Sequence, residues 1–162
     1  MENEAAGFHE LWSRYARDVR RFAYHLSGDA ALAEDVVSET FLRAWTTRGR
    51  IEISTVKGYL FTIARNLVFQ EMRGRKRQVG LDWDVGIQDR VGPELEAREE
   101  LKQVQTALAG LPELERSALL MRAEGLTYEE IAAALGIPAV TVRVKVHRAR
   151  LKLAEQTTRS VK

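Results

Sequence analysis

The fold is decided by the segment LTYEEIAAALGIPAVTVRVKVHRARLKL, which occupies residues 126–153. Thr127 and Glu130 stand three positions apart, the spacing of a capping box at a helix start, and Ile131 begins the apolar face. Gly136 then marks a turn, after which a second helix is predicted. Two short helices joined by a turn of about three residues that contains Gly form the helix-turn-helix pattern.

The second helix of this motif has an apolar side and a basic side. Val142 and Val146 repeat at helical spacing and are predicted to face the core. Between positions 138 and 153 there are five basic residues and no acid. Basic side chains suit phosphates and guanine edges, and exposed valines suit thymine methyl groups. Because successive residues of a helix are rotated by about 100°, the following side chains are predicted to point outward or to flank the outward face: Val140, Arg143, Val144, Lys145, His147, Arg148 and Leu151. DNA binding is therefore predicted, the alternative being a helical hairpin whose basic residues are only solvated.

Helical spacing of apolar residues also predicts three helices in the first half of the chain, over about 8–26, 30–45 and 55–72. Gly28 suits the exit from the first helix, and Asp29 can cap the second. The sequence therefore predicts three helices in a first domain.

The next stretch, 74–92, has no sustained period and is rich in charge and glycine, which favours a linker. Beyond it, Leu101, Val104 and Leu108 carry the predicted apolar stripe of a further helix, and Pro112 begins the helix after that. No strand pattern persists for more than a few residues. The predicted fold is all-α, with two small helical domains joined by a flexible linker and the helix-turn-helix in the second.

Charge is strongly segregated along the 162 residues, although the net charge is only +2. Residues 1–81 carry a net +3, residues 82–140 a net −7 and residues 141–162 a net +6. Arg outnumbers Lys by 19 to 6, which suits bidentate contacts to phosphate or guanine. This distribution favours a polyanionic partner at particular places, although charged faces are also common on ordinary helical proteins.

The composition excludes several classes of site. There is no Cys, which excludes a disulfide framework, a Cys-ligated zinc site and a thiol nucleophile. The three His residues are too scattered to predict a metal site, and no phosphate loop or paired carboxylate site predicts an enzyme or a cofactor. No apolar run approaches a membrane span and the N-terminus does not resemble a signal peptide, so a cytoplasmic protein without membrane insertion is expected.

Three stretches together resemble one known family. They are GDAALAEDVVSETFLRAW (28–45), GYLFTIARNLVFQEMR (58–73) and YEEIAAALGIPAVTVRVKVHRAR (128–150). In this order and spacing they are similar to the extracytoplasmic-function group of bacterial sigma factors, over about residues 8–155. A lone helix-turn-helix would be weak support, whereas the joint pattern is highly specific.

The resemblance implies a region 2 domain at 8–74, a linker at 75–94 and a region 4 domain at 95–157. Members of this family bind core RNA polymerase, direct it to promoter DNA and help open the −10 element, while region 4 reads the −35 element as duplex. An anti-sigma factor is a further partner that the resemblance implies.

The resemblance also implies which residues bind core polymerase. They fall on one side of the second helix: Asp35, Ser38, Glu39 and Leu42. Ser38 stands where the family usually has Gln. An acidic, partly apolar helix face suits a basic helical partner, but acids near a helix start also suit the helix dipole, and the residues alone favour that second explanation.

Two further sets are implied to bind DNA. The −10 and melting set is Tyr59, Arg65, Asn66, Arg73, Arg75 and Lys76. Tyr59 could stack on an unpaired base or pack in the core, and the preceding loop, 46–56, is the implied pocket for a flipped base. The −35 set is Val140, Thr141, Arg143, Val144, Lys145, His147 and Arg148, with Val140 and Val144 in place of the small residues usual in the family.

The residues are also compatible with two other functional classes. One is a self-sufficient helix-turn-helix repressor or activator whose N-terminal domain dimerises, which would bind a palindromic operator. The other is a helical adaptor that binds only proteins. Co-purification with core polymerase separates the sigma-factor hypothesis from both.

Overall fold

A computed structural model describes the backbone of residues 2–47, 55–79 and 95–160, and the side chains of 7–47, 55–75 and 98–156. Within these residues the structure consists of helices joined by short connections, which confirms the all-α prediction. The helices are α1 (Glu2–Ser27), α2 (Ala30–Thr46), α3 (Val56–Val79), α4 (Leu95–Ala109), α5 (Glu113–Ala123), α6 (Tyr128–Leu135) and α7 (Ala139–Ser160). None of the helices in the described stretches is long and apolar enough to cross a bilayer.

Helices α1, α2 and α3 form the first bundle around an aromatic core. Phe22 of α1 and Phe61 of α3 are almost fully buried, and their ring centroids lie 4.6 Å apart at an interplanar angle of 68°. Trp12 packs on the buried Phe41 of α2 with a centroid distance of 4.9 Å. Edge-on and tilted ring contacts of this kind add to the free energy gained by burying the rings themselves. This core holds the outer face of α2 and the polar face of α3 in fixed positions.

The turn between α1 and α2 follows the sequence prediction. Gly28 has a φ of 72°, the left-handed conformation that glycine adopts without a steric penalty. Asp29 is the N-cap of α2, and its carboxylate accepts a hydrogen bond from the backbone N–H of Leu32 at 3.0 Å. Both predicted roles are confirmed.

The helix-turn-helix is formed by α6 and α7. The Thr127 hydroxyl accepts a hydrogen bond from the Glu130 backbone N–H at 3.1 Å, and the Glu130 carboxylate accepts one from the Thr127 backbone N–H at 3.1 Å. Gly136 ends α6 with a φ of 67°. Val142 and Val146 are buried, so α7 packs with the predicted face inward.

The apolar stripe predicted for α4 is only partly correct. Leu108 is buried, but Leu101 and Val104 are 41% and 48% exposed. Gln105 is buried instead, because its side-chain amide lies 2.8 Å from Nδ1 of His25 on α1. A polar partner on the neighbouring helix therefore decides which side of α4 faces inward.

Helix α3 runs to Val79 and so includes the first five residues, 75–79, of the segment predicted as linker. Lys, Arg and Gln have favourable helix propensities, which lets the basic run after Gly74 continue the helix. The rest of that segment, with Trp83, lies outside the described residues.

The two bundles pack against each other, with α1 and α3 of the first contacting α4, α5 and α6 of the second. Arg116 of α5 lies buried at this junction. Its guanidinium donates to the backbone carbonyls of Leu26 at 3.0 Å, Leu111 at 2.8 Å and Ala109 at 3.1 Å. Burial lowers the pKa of Arg116, although an arginine remains charged at neutral pH. One cation thus joins the end of α1 to the turn between α4 and α5.

Candidate DNA and polymerase interfaces

Helix α7 presents a basic and apolar face on its first three turns. Val140 is 68% exposed and Val144 44% exposed, whereas Val142 and Val146, two positions further along in each case, are buried. Of the other members of the predicted −35 set, Arg143, His147 and Arg148 are exposed. Thr141 and Lys145 are half-buried. The structure therefore places the predicted set on the outer side and flanks of one helix.

Tyr128, at the start of α6, lies next to this face and was not singled out by the sequence. The guanidinium carbon of Arg143 lies 4.8 Å from the centroid of the Tyr128 ring, and that of Arg122 lies 4.8 Å from the same centroid. Arg122 is held in turn by a 2.9 Å hydrogen bond to the carbonyl of Leu126. The ring thus restricts the position of the Arg143 side chain on α7 by a cation–π contact.

The predicted polymerase-binding residues share an exposed face of α2. Leu42 is 58% exposed, Asp35 and Ser38 are exposed, and Glu39 is half-buried and accepts a hydrogen bond from Arg43 at 2.9 Å. No acid stands in the first turn of α2. Because the effect of the helix dipole falls off within the first turn, it does not account for these acids. An exposed leucine beside carboxylates suits a partner that offers both an apolar and a basic contact.

Tyr59 is half-buried and packs against the core of the first bundle. Its hydroxyl lies 2.5 Å from the hydroxyl of Thr47, and the Thr47 hydroxyl also donates to the carbonyl of Arg43 at 2.7 Å. Tyr59 therefore has packing contacts with the core, and its stacking on an unpaired base stays a prediction. Tyr59 thereby joins α3 to the C-terminal end of α2. Most of the predicted base pocket, residues 48–54, lies outside the described residues.

The basic residues predicted for the −10 element divide into two groups on α3. Arg65 and Arg73 both approach Glu113 of α5, at 3.8 Å and 3.4 Å. Arg75 instead pairs with the capping Asp29 at 2.6 Å. Asn66 is exposed and its side-chain oxygen accepts a hydrogen bond from Arg65 at 3.2 Å.

Lys76 lies within α3, and its side chain is outside the described set. The Arg65 side chain is 20% exposed, against 58% for Arg73 and 31% for Arg75, and burial lowers the pKa of Arg65. Among the described side chains of the −10 set, the arginines therefore do not form a single open basic surface.

Glu130 joins the helix-turn-helix to the first bundle. Besides its part in the capping box, its carboxylate accepts a hydrogen bond from the hydroxyl of Thr55 at 2.5 Å. The Thr55 hydroxyl in turn accepts from the backbone N–H of Gly58 at 3.1 Å, which satisfies a free donor at the start of α3. The hydrogen bond from Thr55 and those from Thr127 lower the pKa of Glu130, so this carboxylate is ionised at neutral pH.

Comparison with known proteins identifies the family. The sigma-70 region 2 family matches residues 11–78, and the sigma-70 region 4 family matches residues 101–153. The chain is 38% identical to the ECF RNA polymerase sigma factor SigL of Mycobacterium tuberculosis over 94% of this chain and 92% of SigL. The chain belongs to the extracytoplasmic-function group of sigma-70 RNA polymerase sigma factors.

Other relatives of this sigma factor agree with that assignment. It is 37% identical to the ECF RNA polymerase sigma factor SigE of Mycolicibacterium smegmatis over 90% of its length, and it spans 60% of the length of SigE. Its fold is similar to that of the sigma factor RpoE from Bartonella quintana, solved in complex with the anti-sigma factor NepR. That match has a TM-score of 0.77 and 32% identity, and it covers 94% of this chain and 97% of RpoE.

The functional geometry of this sigma factor includes residues that sequence reasoning missed. Glu113 and Tyr128 contact the predicted site residues Arg65 and Arg143. Arg116 forms a hydrogen bond between the two bundles. Glu113 and Tyr128 stand in first turns of helices, where an acid or a polar ring usually reflects helix capping or solvation. The sequence therefore carried no signal that would have separated these residues from ordinary helix-start residues.

Proposed function

We propose that this sigma factor binds core RNA polymerase through α2, reads the −35 element with α7 and contacts the −10 element with α3. In this proposal residues 8–74 are the region 2 domain, 75–94 the linker and 95–157 the region 4 domain. The protein acts in the cytoplasm as an initiation factor and not as a catalyst. The outer face of α7 supports the proposal most strongly, because its exposed valines stand among basic side chains on a helix-turn-helix.

In vitro transcription with core polymerase on a randomised promoter library tests the proposal directly. Sequencing the transcribed templates should reveal two enriched elements separated by a constant spacing. Transcription that starts without any enriched element, or no transcription above that of core polymerase alone, would contradict it. A palindromic element bound without polymerase would instead favour a self-sufficient repressor or activator.

An anti-sigma factor is a proposed further partner of this chain. Support comes from RpoE, which is 32% identical to this chain and whose structure was solved in complex with the anti-sigma factor NepR. Capture of this sigma factor from its native host by an affinity tag, followed by mass spectrometry, tests the proposal. A protein that is recovered with this sigma factor in complexes lacking polymerase is the expected result, and recovery of polymerase subunits alone would contradict the proposal.

Replacing both Val140 and Val144 by Ser is expected to change the preferred −35 sequence without abolishing binding. The exposed methyl groups suit thymine methyl groups, and serine offers a hydrogen-bonding hydroxyl in their place. The promoter library should therefore show weaker enrichment of thymine at one or two −35 positions. Leu151→Ser is the matched control, since Leu151 is 52% exposed further along the same helix. An unchanged −35 preference in the double variant would exclude a specificity role for the two valines.

Replacing Leu42 by Ala is expected to weaken binding to core polymerase by about 1–2 kcal/mol, or about 5- to 30-fold in Kd. Leu42 is exposed in the free protein and would lose most of its contact area with the partner when truncated. Competition with a fluorescently labelled sigma factor for core polymerase measures the change. Leu101→Ala on α4 is the control, because Leu101 is also an exposed helical leucine. Equal losses in the two variants would argue against a specific contact at Leu42.

A further inference from the structure

We propose that the ion pair between Glu115 of α5 and Lys152 of α7 sets the angle at which α7 lies on α5, and thereby the sequence selectivity of the −35 contact. Both residues are positioning residues, because neither belongs to the set proposed to contact the −35 element. The inference rests on the proposed function of α7 and adds two residues that determine how well it reads DNA.

Glu115 is a buried acid that pairs with one end of α7. It lies in the first turn of α5, and its side chain is 6% exposed. Nζ of Lys152 donates a hydrogen bond to Oε2 of Glu115 at 2.7 Å, from a side chain that is 46% exposed. A buried ion pair is weak evidence for stability, and its best attested use is to fix the register of the elements that it joins. The pair therefore suits a role in orienting α7.

The apolar side of α7 decides which face packs inward, but it leaves the angle of the helix less well determined. Val142, Val146 and Ala149 are buried on that side, and α7 packs on α5 and α6. Apolar packing has no preferred direction, and the crossing angles of packed helices scatter by about 15–20°. A charge-assisted hydrogen bond does have a preferred length and direction. The ion pair thus supplies a directional restraint that the apolar contacts lack.

The pair lies far along α7 from the residues that are proposed to read DNA. Lys152 is nine positions after Arg143 and eight after Val144. At a rise of about 1.5 Å per residue, these separations are about 12–14 Å along the helix axis. A rotation of α7 by about 5° about the Lys152 end would therefore move the backbone at Arg143 by about 1 Å.

A displacement of about 1 Å affects the two kinds of DNA contact differently. Hydrogen bonds to base edges form over a range of only about 0.5 Å in donor–acceptor distance. Contacts to phosphate carry no sequence information, and long basic side chains can adjust to reach them. Loss of the ion pair should therefore reduce discrimination between −35 sequences more than it reduces binding to DNA in general.

Replacing both members of the pair by Met tests the proposal at constant net charge. Glu115→Met/Lys152→Met removes one acid and one base and leaves apolar side chains that cannot form the directional bond. Such a replacement often leaves stability unchanged or higher. Glu100→Met/Arg150→Met is the matched control, because it removes an exposed acid of α4 and an exposed base of α7. Thermal unfolding followed by far-UV circular dichroism compares the Tm of both double variants with that of the wild type.

Selectivity is measured by transcription with core polymerase from two competing templates, the promoter selected from the library and the same promoter with a scrambled −35 element. In Glu115→Met/Lys152→Met the preference for the selected template should fall about tenfold, the scale of one lost bidentate base contact. The preference against a scrambled −10 element should stay at the wild-type value, because the pair lies within the second bundle. The control variant should keep both preferences.

Two outcomes of this experiment would overturn the proposal. One is a Glu115→Met/Lys152→Met protein that has the Tm of the wild type and an unchanged −35 preference, since the pair would then have no part in orienting α7. The other is an equal fall of the −35 and −10 preferences, which would show a general loss of function.

Single variants decide the question if the double variant does not fold. Glu115→Gln keeps the length of the side chain and an acceptor oxygen, but a hydrogen bond to a neutral amide is about half as strong, so the −35 preference should fall about threefold. Glu100→Gln makes the same change in net charge at an exposed acid and is the control. Lys152→Arg keeps the cation and should retain most of the wild-type preference. Equal −35 preferences in the wild type, Glu115→Gln and Glu100→Gln would overturn the proposal.

Failure of this inference and failure of the proposed function give different results. If the proposed function fails, the wild-type protein does not direct core polymerase to any promoter element in the library. If only the inference fails, the wild type selects both elements, and the Glu115 variants select the −35 element as well as the wild type does.

Discussion

Arg116→Ala is expected to lower the free energy of unfolding of this sigma factor by about 3 kcal/mol, because three backbone carbonyls lose their donor at once. Arg116 is 8% exposed, and its three hydrogen bonds have lengths of 2.8–3.1 Å. Two of these bonds close the turn between α4 and α5, and the third crosses to Leu26 at the end of α1. A buried acceptor without a donor costs about 1–3 kcal/mol. A loss of about 3 kcal/mol is therefore expected even if water replaces the guanidinium at some of the three carbonyls.

Urea unfolding followed by far-UV circular dichroism measures the effect, and a fall in Tm of about 6–12 °C should accompany it. Arg116→Lys should lose less than Arg116→Ala, because an ammonium keeps the charge but does not span three carbonyls in a fixed plane. Arg150→Ala removes an exposed arginine from α7 and should change stability by less than about 0.5 kcal/mol. A loss below about 1 kcal/mol in Arg116→Ala would show that water replaces the guanidinium at little cost.

The sequence predicted the local structure well wherever one residue type is required by backbone geometry. Gly28 and Gly136 end helices with positive φ, and Asp29 and Thr127 are the N-caps of the helices that follow them. Each of these signals depends on a few consecutive residues, so no knowledge of distant contacts is needed. The buried face of α7 was predicted for a similar reason, because helical periodicity is also a local signal.

The failures occur where a contact between the two bundles decides the outcome. Gln105 replaces Val104 on the inner side of α4 because His25, eighty positions earlier, is its partner. The sequence likewise contained no sign that Glu113 and Ser117 from the other bundle contact Arg65, whose binding to DNA stays a prediction. Periodicity reports which face of a helix is apolar, but it carries no information about a polar partner from a distant segment.

Arg143→Ala is expected to weaken binding to a −35 duplex by about 1–3 kcal/mol, or about 5- to 150-fold in Kd, if Arg143 contacts a base edge. Arg143 is exposed on the outer face of α7 and already lies against a ring that restricts its position. Fluorescence anisotropy with the −35 duplex selected from the promoter library measures the change. Arg150→Ala is the control on the same helix, and its loss should be small.

The salt dependence of binding distinguishes the two possible partners of Arg143. If Arg143 reads a base, the loss should be concentrated in the preferred sequence, with a nearly unchanged salt slope. If it contacts only phosphate, affinity should fall similarly for every duplex and the slope should decrease by about one. A loss no larger than that of Arg150→Ala would argue against any specific role for Arg143.

Tyr128 should act through Arg143 and not independently of it. The ring lies 4.8 Å from the guanidinium carbon of Arg143, and Arg122 on the same ring is anchored to the carbonyl of Leu126. Tyr128→Leu removes a cation–π contact worth about 0.5–1 kcal/mol at an exposed site, so affinity should fall about two- to fivefold. Tyr128→Phe keeps the ring and should bind nearly as tightly as the wild type. In a double-mutant cycle, Tyr128→Leu should cause little further loss of affinity when Arg143 is already replaced by Ala, because the Arg143 guanidinium that the ring positions is then absent. Fully additive losses would instead place Tyr128 in a separate contact with the DNA.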